Sequence, residues 1–238
     1  MTYGPDDPSK RLSAKKPLVI AIDGPAGAGK STIAQSVARR LGFTYIDTGA
    51  MYRAVALWAL RTRIDLDDPY RLEQLAREAH IGFGPDSTVQ LNGEDVTSAI
   101  REPAVSDAAS KVSAVPGVRR AMCEEQRRIG SQSSVVMEGR DIGTVVFPEA
   151  EVKIYLDADP QVRAGRRAQE IGAAVDQVAR AMAERDQRDR TRTEAPLMQA
   201  PDAEYLDSTR LSAEEVEEAI LKLVRDRTSN GREHIKNS

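Results

Sequence analysis

Leu18-Val19-Ile20-Ala21-Ile22-Asp23-Gly24-Pro25-Ala26-Gly27-Ala28-Gly29-Lys30-Ser31 decides the architecture. Its first five residues are a continuous apolar run rich in β-branched side chains, the pattern of a strand buried on both faces of a parallel sheet. Gly24 to Ser31 then match GxxxxGK[ST] in full. Beyond them Ile33, Val37 and Leu41 recur at i+4 with Ala34 and Ala38 beside them, and Gly42 stands where a helix stops. Strand, loop and helix in that order give the match its weight. The glycines let backbone N–H groups converge on phosphate oxygens, and the helix N-terminus adds the positive end of its dipole. Gly24, Pro25, Ala26, Gly27, Ala28, Gly29, Lys30, Ser31 and Thr32 are therefore candidate contacts to a nucleoside triphosphate. Lys30 is placed for the β- and γ-phosphates, and the Ser31 hydroxyl for Mg²⁺.

Outward from this unit, strands and helices alternate. Phe43 to Ile46 reads as a second strand, and Asp47-Thr48-Gly49 opens a helix with Met51, Val55 and Trp58 on its stripe. Residues 64–117 differ: His80 to Phe83, Val89 to Leu91 and Glu94 to Val96 are short strands, with Asn92-Gly93 as a two-residue hairpin turn. Helical pattern resumes over Val118 to Arg128, and Ser134 to Met137 and Val152 to Leu156 are buried strands. Asp159-Pro160 caps a long arginine-rich helical stretch over residues 161–193. Glu204 to Leu206 is a last strand, and Ser212-Ala213-Glu214-Glu215 is a capping box for a final helix. The pattern predicts an α/β fold, a parallel sheet flanked by helices on both faces, with a small antiparallel insertion. Strand order stays open. Residues 1–16 read as a disordered leader and 228–238 as a flexible tail.

Two further constellations fall just past predicted strands, where open α/β sheets bind ligands, and a third lies on the arginine-rich helical stretch. Asp47 to Arg53 places an arginine in the first turns of a helix. Glu138-Gly139-Arg140-Asp141 puts a cation and an anion together. In Arg185 to Arg192, the residues Arg185, Arg188, Asp189 and Arg192 share one helical face, and Asp186 and Arg190 are spaced for an i,i+4 pair on another. Arg163, Arg166 and Arg167 precede them. An arginine-dense face without partners needs an anion, and phosphoryl transfer needs movable cations over its equatorial oxygens. His80 and His234 are isolated, Cys123 reads as a small half-buried residue, and Tyr52 and Trp58 read as core.

Composition excludes several classes. The 238 residues carry 37 acidic and 34 basic side chains, net −3, which disfavours a nucleic-acid binder resting on surplus cations. Aromatics are 4%, too few for a base-stacking platform. Arginine supplies 26 of the 34 basic residues, in keeping with bidentate phosphate recognition. One cysteine allows no internal disulfide, and no apolar run reaches membrane length. The N-terminus lacks the apolar stretch of a secretory signal, so a cytoplasmic location is expected.

Taken in order, IDGPAGAGKST (22–32), DTGAMYR (47–53), EGRDIGTVVFP (138–148), ERDQRDRTR (184–192) and YLDST (205–209) resemble the bacterial cytidylate kinase (CMP kinase) family over about residues 17–227. The resemblance implies a phosphate-loop kinase core over 17–63 and 118–227 with a lid at about 159–195, and a CMP-binding insertion over 64–117. It implies transfer of the γ-phosphoryl of ATP to CMP or dCMP with Mg²⁺, by a monomer. It places Thr48, Arg53 and Arg140 in the CMP pocket, the two arginines on its phosphate, Ser110, Arg119 and Asp141 against cytosine, Arg185 and Asp189 at the ribose, and Arg192 over the phosphates. Lys30, Arg185, Arg192 and Arg140 are then the catalytic cations. Thr48 departs from the serine of many members but keeps a hydroxyl. The CMP phosphate is ionised near neutrality, so no general base is expected. Two rivals stand beside this reading: a nucleoside or small-alcohol kinase using Glu138 or Asp141 as base, and a nucleotide-dependent switch without a second substrate.

Overall fold

The structure is a computed structural model and describes residues 17–84 and 87–228; the expected leader over 1–16 and all of the expected tail but Thr228 lie outside them. Five parallel strands, β1 (Val19–Asp23), β2 (Thr44–Asp47), β6 (Val135–Gly139), β7 (Val152–Asp157) and β8 (Glu204–Asp207), form one sheet in the order β2-β6-β1-β7-β8. β1 is central and pairs with β6 and β7 in parallel register, Ile22 facing Glu138 and Ile154. Every residue of β1 and β6 is buried, as their apolar runs require, and the burial extends to Asp23 and Glu138 at their carboxyl ends.

Helices cover both faces. α1 (Lys30–Leu41) and α8 (Ala213–Arg227) bury Ile33, Val37, Leu41, Val216, Ile220 and Val224 against one face. Gly42 ends α1 in the left-handed conformation, and the capping box at Ser212 and Glu215 starts α8. α2 (Thr48–Arg61) follows β2, with the Asp47 carboxylate accepting the Ala50 N–H as its cap.

Between α2 and β6 lie α3 (Pro69–Glu78), an antiparallel sheet of β3 (Ile81–Phe83), β4 (Val89–Leu91) and β5 (Glu94–Asp95), then α4 (Pro103–Val112) and α5 (Pro116–Gln132). Asn92-Gly93 makes the β4–β5 turn, both residues at positive φ. α3 and α4 go beyond the expected strands. Their interior faces, Leu72, Leu75 and Ala76, then Val105, Ala108, Ala109 and Val112, join α2 and α5 in one apolar cluster.

The arginine-rich stretch is two helices, not one: α6 (Pro160–Ile171) and α7 (Val175–Thr191), broken where Gly172 turns left-handed. Ala164, Ala168, Val178 and Met182 hold the pair together. No helix among the described residues is long and apolar enough to cross a membrane.

Candidate active site at the carboxyl edge of the sheet

Four of the five parallel strands end on an aspartate, Asp23, Asp47, Asp157 and Asp207, and the fifth ends at Gly139. All five ends open on one edge. The loop after β1 is shaped there by glycine. Gly24 has φ +152°, and a Cβ on it would lie 2.0 Å from the Leu156 carbonyl oxygen. Gly27 has φ +72°, and a Cβ there would meet the Met182 methyl at 2.7 Å. Lys30 is buried, and its ammonium donates to the Pro25 carbonyl at 2.7 Å. Burial first, then the Arg140 guanidinium, pulls its pKa down to about 7. Ser31 and Thr32 are exposed at the start of α1.

The Glu138 carboxylate accepts from the Tyr45 hydroxyl at 2.6 Å, and the Ser31 hydroxyl helps hold it ionised. Burial and the nearby Asp47 nevertheless push the Glu138 carboxyl up. The Thr48 hydroxyl donates to the Glu138 carbonyl at 2.7 Å. Arg53 pairs with Asp47 at 2.8 Å, while its buried Nε finds no partner.

The acidic and basic side chains of the later motifs meet here. Arg140 pairs with Asp189 at 2.9 Å. Asp141 is held by Arg119 at 2.5 Å and by Arg192 at 3.4 Å, and Arg119 also lies over the Tyr52 ring. Burial opposes ionisation of Asp189, yet Arg140 and Arg185 hold it below the usual carboxylate range. Arg185 sits beside Arg140, and its guanidinium makes no hydrogen bond or ion pair with any described residue. Burial and Arg140 push it down to about 10. Ser110 lies in the last turn of α4, three residues before Ser113, whose carbonyl accepts from Arg119 at 3.2 Å. The structure gives the Ser110 side chain no partner in this cluster.

Three expectations are corrected. Asp186 does not pair with Arg190. It is buried, pairs with Arg163 at 2.6 Å and accepts the Ala26 N–H at 3.3 Å, because α7 turns that face inward onto the loop. The arginine-dense face is not bare: Asp141 and Asp189 hold Arg192, the exposed Arg188 donates to the Glu184 carbonyl at 3.4 Å, and the Arg185 guanidinium is left without a partner among the described residues. Arg163, Arg166 and Arg167 do not all await an anion. Arg163 also donates to the Ala26 carbonyl at 2.9 Å, Arg166 donates to the Ser208 carbonyl at 2.8 Å, and Arg167 pairs with Glu170 in solvent. Asp23 and Tyr45 are structural parts of the site that motif reading missed, as was the pairing of Arg163 with Asp186. The visible signal for Asp23 was its place at a strand end.

A parallel sheet of order β2-β6-β1-β7-β8, a glycine-rich phosphate loop after its central strand and converging arginines define a phosphate-loop phosphotransferase. The family model for cytidylate kinase matches residues 20–226. A cytidylate kinase of Solibacter usitatus is 65% identical over 226 residues, covering 92% of this chain and 97% of that relative. One of Pelotomaculum thermopropionicum is 50% identical over 222 residues, covering 90% and 96%. An uncharacterised protein from Eubacterium ventriosum shares the fold, with a TM-score of 0.52 at 11% identity over 88% of this chain and 99% of that one. The chain belongs to the cytidylate kinase family. It is a nucleoside monophosphate kinase, which sets aside the switch and the alcohol-kinase readings.

Proposed function

We propose that this enzyme transfers the γ-phosphoryl of ATP to the phosphate of CMP or dCMP, giving ADP and CDP or dCDP. The observation that carries the reading is the charge pattern beside Lys30. Arg53, Arg140 and Arg192 are each held by a carboxylate, while Arg185 and the Nε of Arg53 have no partner. Such a cluster is preset for anions. A nucleotide phosphate entering it exchanges with carboxylates as the arginines' partner and takes up the free donors.

In this reading residues 24–32 bind the ATP phosphates, and Lys30 leaves the Pro25 carbonyl to reach them. Thr48 lines the CMP pocket, Arg53 and Arg140 take its phosphate, Arg185 and Asp189 the ribose, and Ser110, Arg119 and Asp141 the base. Residues 64–117 serve as the monophosphate-binding insertion and about 159–195 as the lid. The nucleophilic phosphate oxygen is already ionised, so the chain supplies position and charge rather than a base. Oxygen donors suit Mg²⁺, and the exposed Ser31 hydroxyl, backed by the Glu138 carboxyl, fits it together with phosphate oxygens and water. No group of three or more acidic, histidine or cysteine side chains forms a ready cage among the described residues, in line with an ion carried in on the nucleotide. When bound, Mg²⁺ neutralises charge developing on the β- and γ-oxygens. An ADP-release assay with ATP plus CMP, UMP, cytidine or no acceptor tests the reading. CMP should stimulate release strongly; stimulation by cytidine, or none by CMP, would overturn it.

A further inference from the structure

Asp23 is the last residue of β1, one position before the phosphate loop, and is buried. Its two carboxylate oxygens accept the Ile142 N–H at 2.8 Å and the Gly143 N–H at 2.7 Å. These amides open a π-helical turn, Ile142–Val146, whose first donors have no partner within the turn. Asp141 caps that turn, its carbonyl accepting from Val145 at 2.9 Å and Val146 at 3.2 Å. Arg127 closes the far end by donating to the Val146 carbonyl at 2.9 Å and the Val145 carbonyl at 2.7 Å. The turn that carries Asp141 is thus pinned at both ends, and at its start by the residue that launches the ATP loop.

We propose that Asp23 is a positioning residue for base recognition: by holding the Ile142 and Gly143 amides it sets where Asp141 stands relative to the phosphate loop. The proposal rests on the reading of the Asp141 pocket as the cytosine site. An ionised Asp23 accepts from both amides. A protonated one has a single full acceptor and turns an O–H toward N–H donors. Burial pushes this carboxyl up to about 6, against the pull of the two amides. The charged groups that face it are Asp141, which raises it further, and Lys30, which lowers it; Tyr155, its neighbour on β7, is the titratable group across the sheet. The Lys153 stem packs on Gly143, but its ammonium is held by the Pro148 carbonyl and Asp202. Acidification through this range therefore loosens the turn, and Asp23→Asn, a permanently neutral side chain, imitates that state at every pH.

The test is kcat/KM for CMP in wild type and D23N from about pH 5.5 to about pH 8. The ratio of the two cancels the ionisation of the CMP phosphate itself, whose second pKa is also about 6. The ratio should be at least about tenfold at the alkaline end, as for one lost charge-assisted hydrogen bond, and fall toward one at the acid end. The loss should lie in KM for CMP. KM for ATP, followed at each pH, reports any effect carried through Lys30. A ratio independent of pH, or equal losses for ATP and CMP, would overturn the role of Asp23; a wild type that ignores CMP would overturn the pocket assignment instead. If D23N does not fold, wild type decides by nuclear magnetic resonance. The Gly143 amide and the Arg119 Nε–H should titrate together near the same midpoint, and an Arg119 signal that stays still overturns the proposal.

Discussion

Lys30 is a buried ammonium beside two guanidinium groups, Arg140 and Arg185, and its proton is correspondingly weakly held. Its pKa of about 7 means that near pH 8 the nucleotide-free side chain is mostly neutral. Phosphate favours the charged form, so nucleotide binding there takes up protons, while well below that pKa it takes up none. Calorimetry in buffers of different ionisation heat should show the uptake; equal heats at the alkaline pH would contradict it. Lys30→Ala should lower kcat by at least about a hundredfold, as for one preorganised transition-state donor. Steady-state turnover checks this, and near-normal kcat would remove Lys30 from the chemistry. Asp141 argues for base choice in the same terms. Ionised, it only accepts hydrogen bonds, which suits the cytosine amino group and opposes the uracil O4. CMP should be preferred over UMP by at least about tenfold in kcat/KM, since an unsatisfied buried group costs about 1–3 kcal/mol. Asp141→Ala should narrow that preference, and an unchanged ratio would show that Asp141 does not read the base.

The α6–α7 hairpin shows what an element adds to its residues. Its arginines were visible as a charged helix face, yet their partners come from other elements. Arg163 and Asp186, their side chains 6% and 11% exposed, clamp the hairpin to both backbone groups of Ala26. Removing one partner of a buried ion pair strands the other, so Arg163→Ala, which leaves Asp186 buried without its cation, should cost about 3–5 kcal/mol. Asp186→Ala should cost less, because Arg163 keeps Asp157 at 3.7 Å and the Ala158 and Ala26 carbonyls. The double variant should cost clearly less than the sum. Urea unfolding of all three checks this, and strict additivity would mean that the clamp does not act as a unit. Arg192 also differs from a solvated lid arginine: its side chain is 11% exposed and touches Asp141 and Asp189. The two helices α3 and α4 carried readable signals, an Asp68-Pro69 start like that of Asp159-Pro160, and Val105, Ala108, Ala109 and Val112 at helical spacing. The nearby hairpin signal, Asn92-Gly93, masked them by suggesting an all-strand insertion.

At the scale of the whole molecule, ligand binding and folding are linked because the site is assembled from all parts of the chain. Asp23, Arg53, Arg119, Asp141 and Arg192 span five separate segments. CMP at one hundred times its Kd should stabilise the fold by about 2.7 kcal/mol, or about 5–10 °C in Tm at this chain length. Thermal melts with CMP alone measure it, and no shift at saturating CMP would contradict a preset monophosphate site. Much of this molecule is local, and so was determined by the sequence alone. The apolar run and phosphate loop at Leu18 to Ser31, the caps at Gly42, Asp159-Pro160 and Ser212, and the hairpin at Asn92-Gly93 each depend on neighbours within a few residues. The ordered motifs also carried the family. What only the tertiary structure decided is partnership: Asp23 with Gly143, Arg140 with Asp189, Arg163 with Asp186, Arg119 with Asp141. Each pair joins residues 22 to 120 positions apart. A charge pattern states how many cations and anions a segment carries. It does not state which of them the sheet order and helix crossings bring within hydrogen-bonding distance, because that distance is set by packing of the apolar core rather than by spacing along the chain.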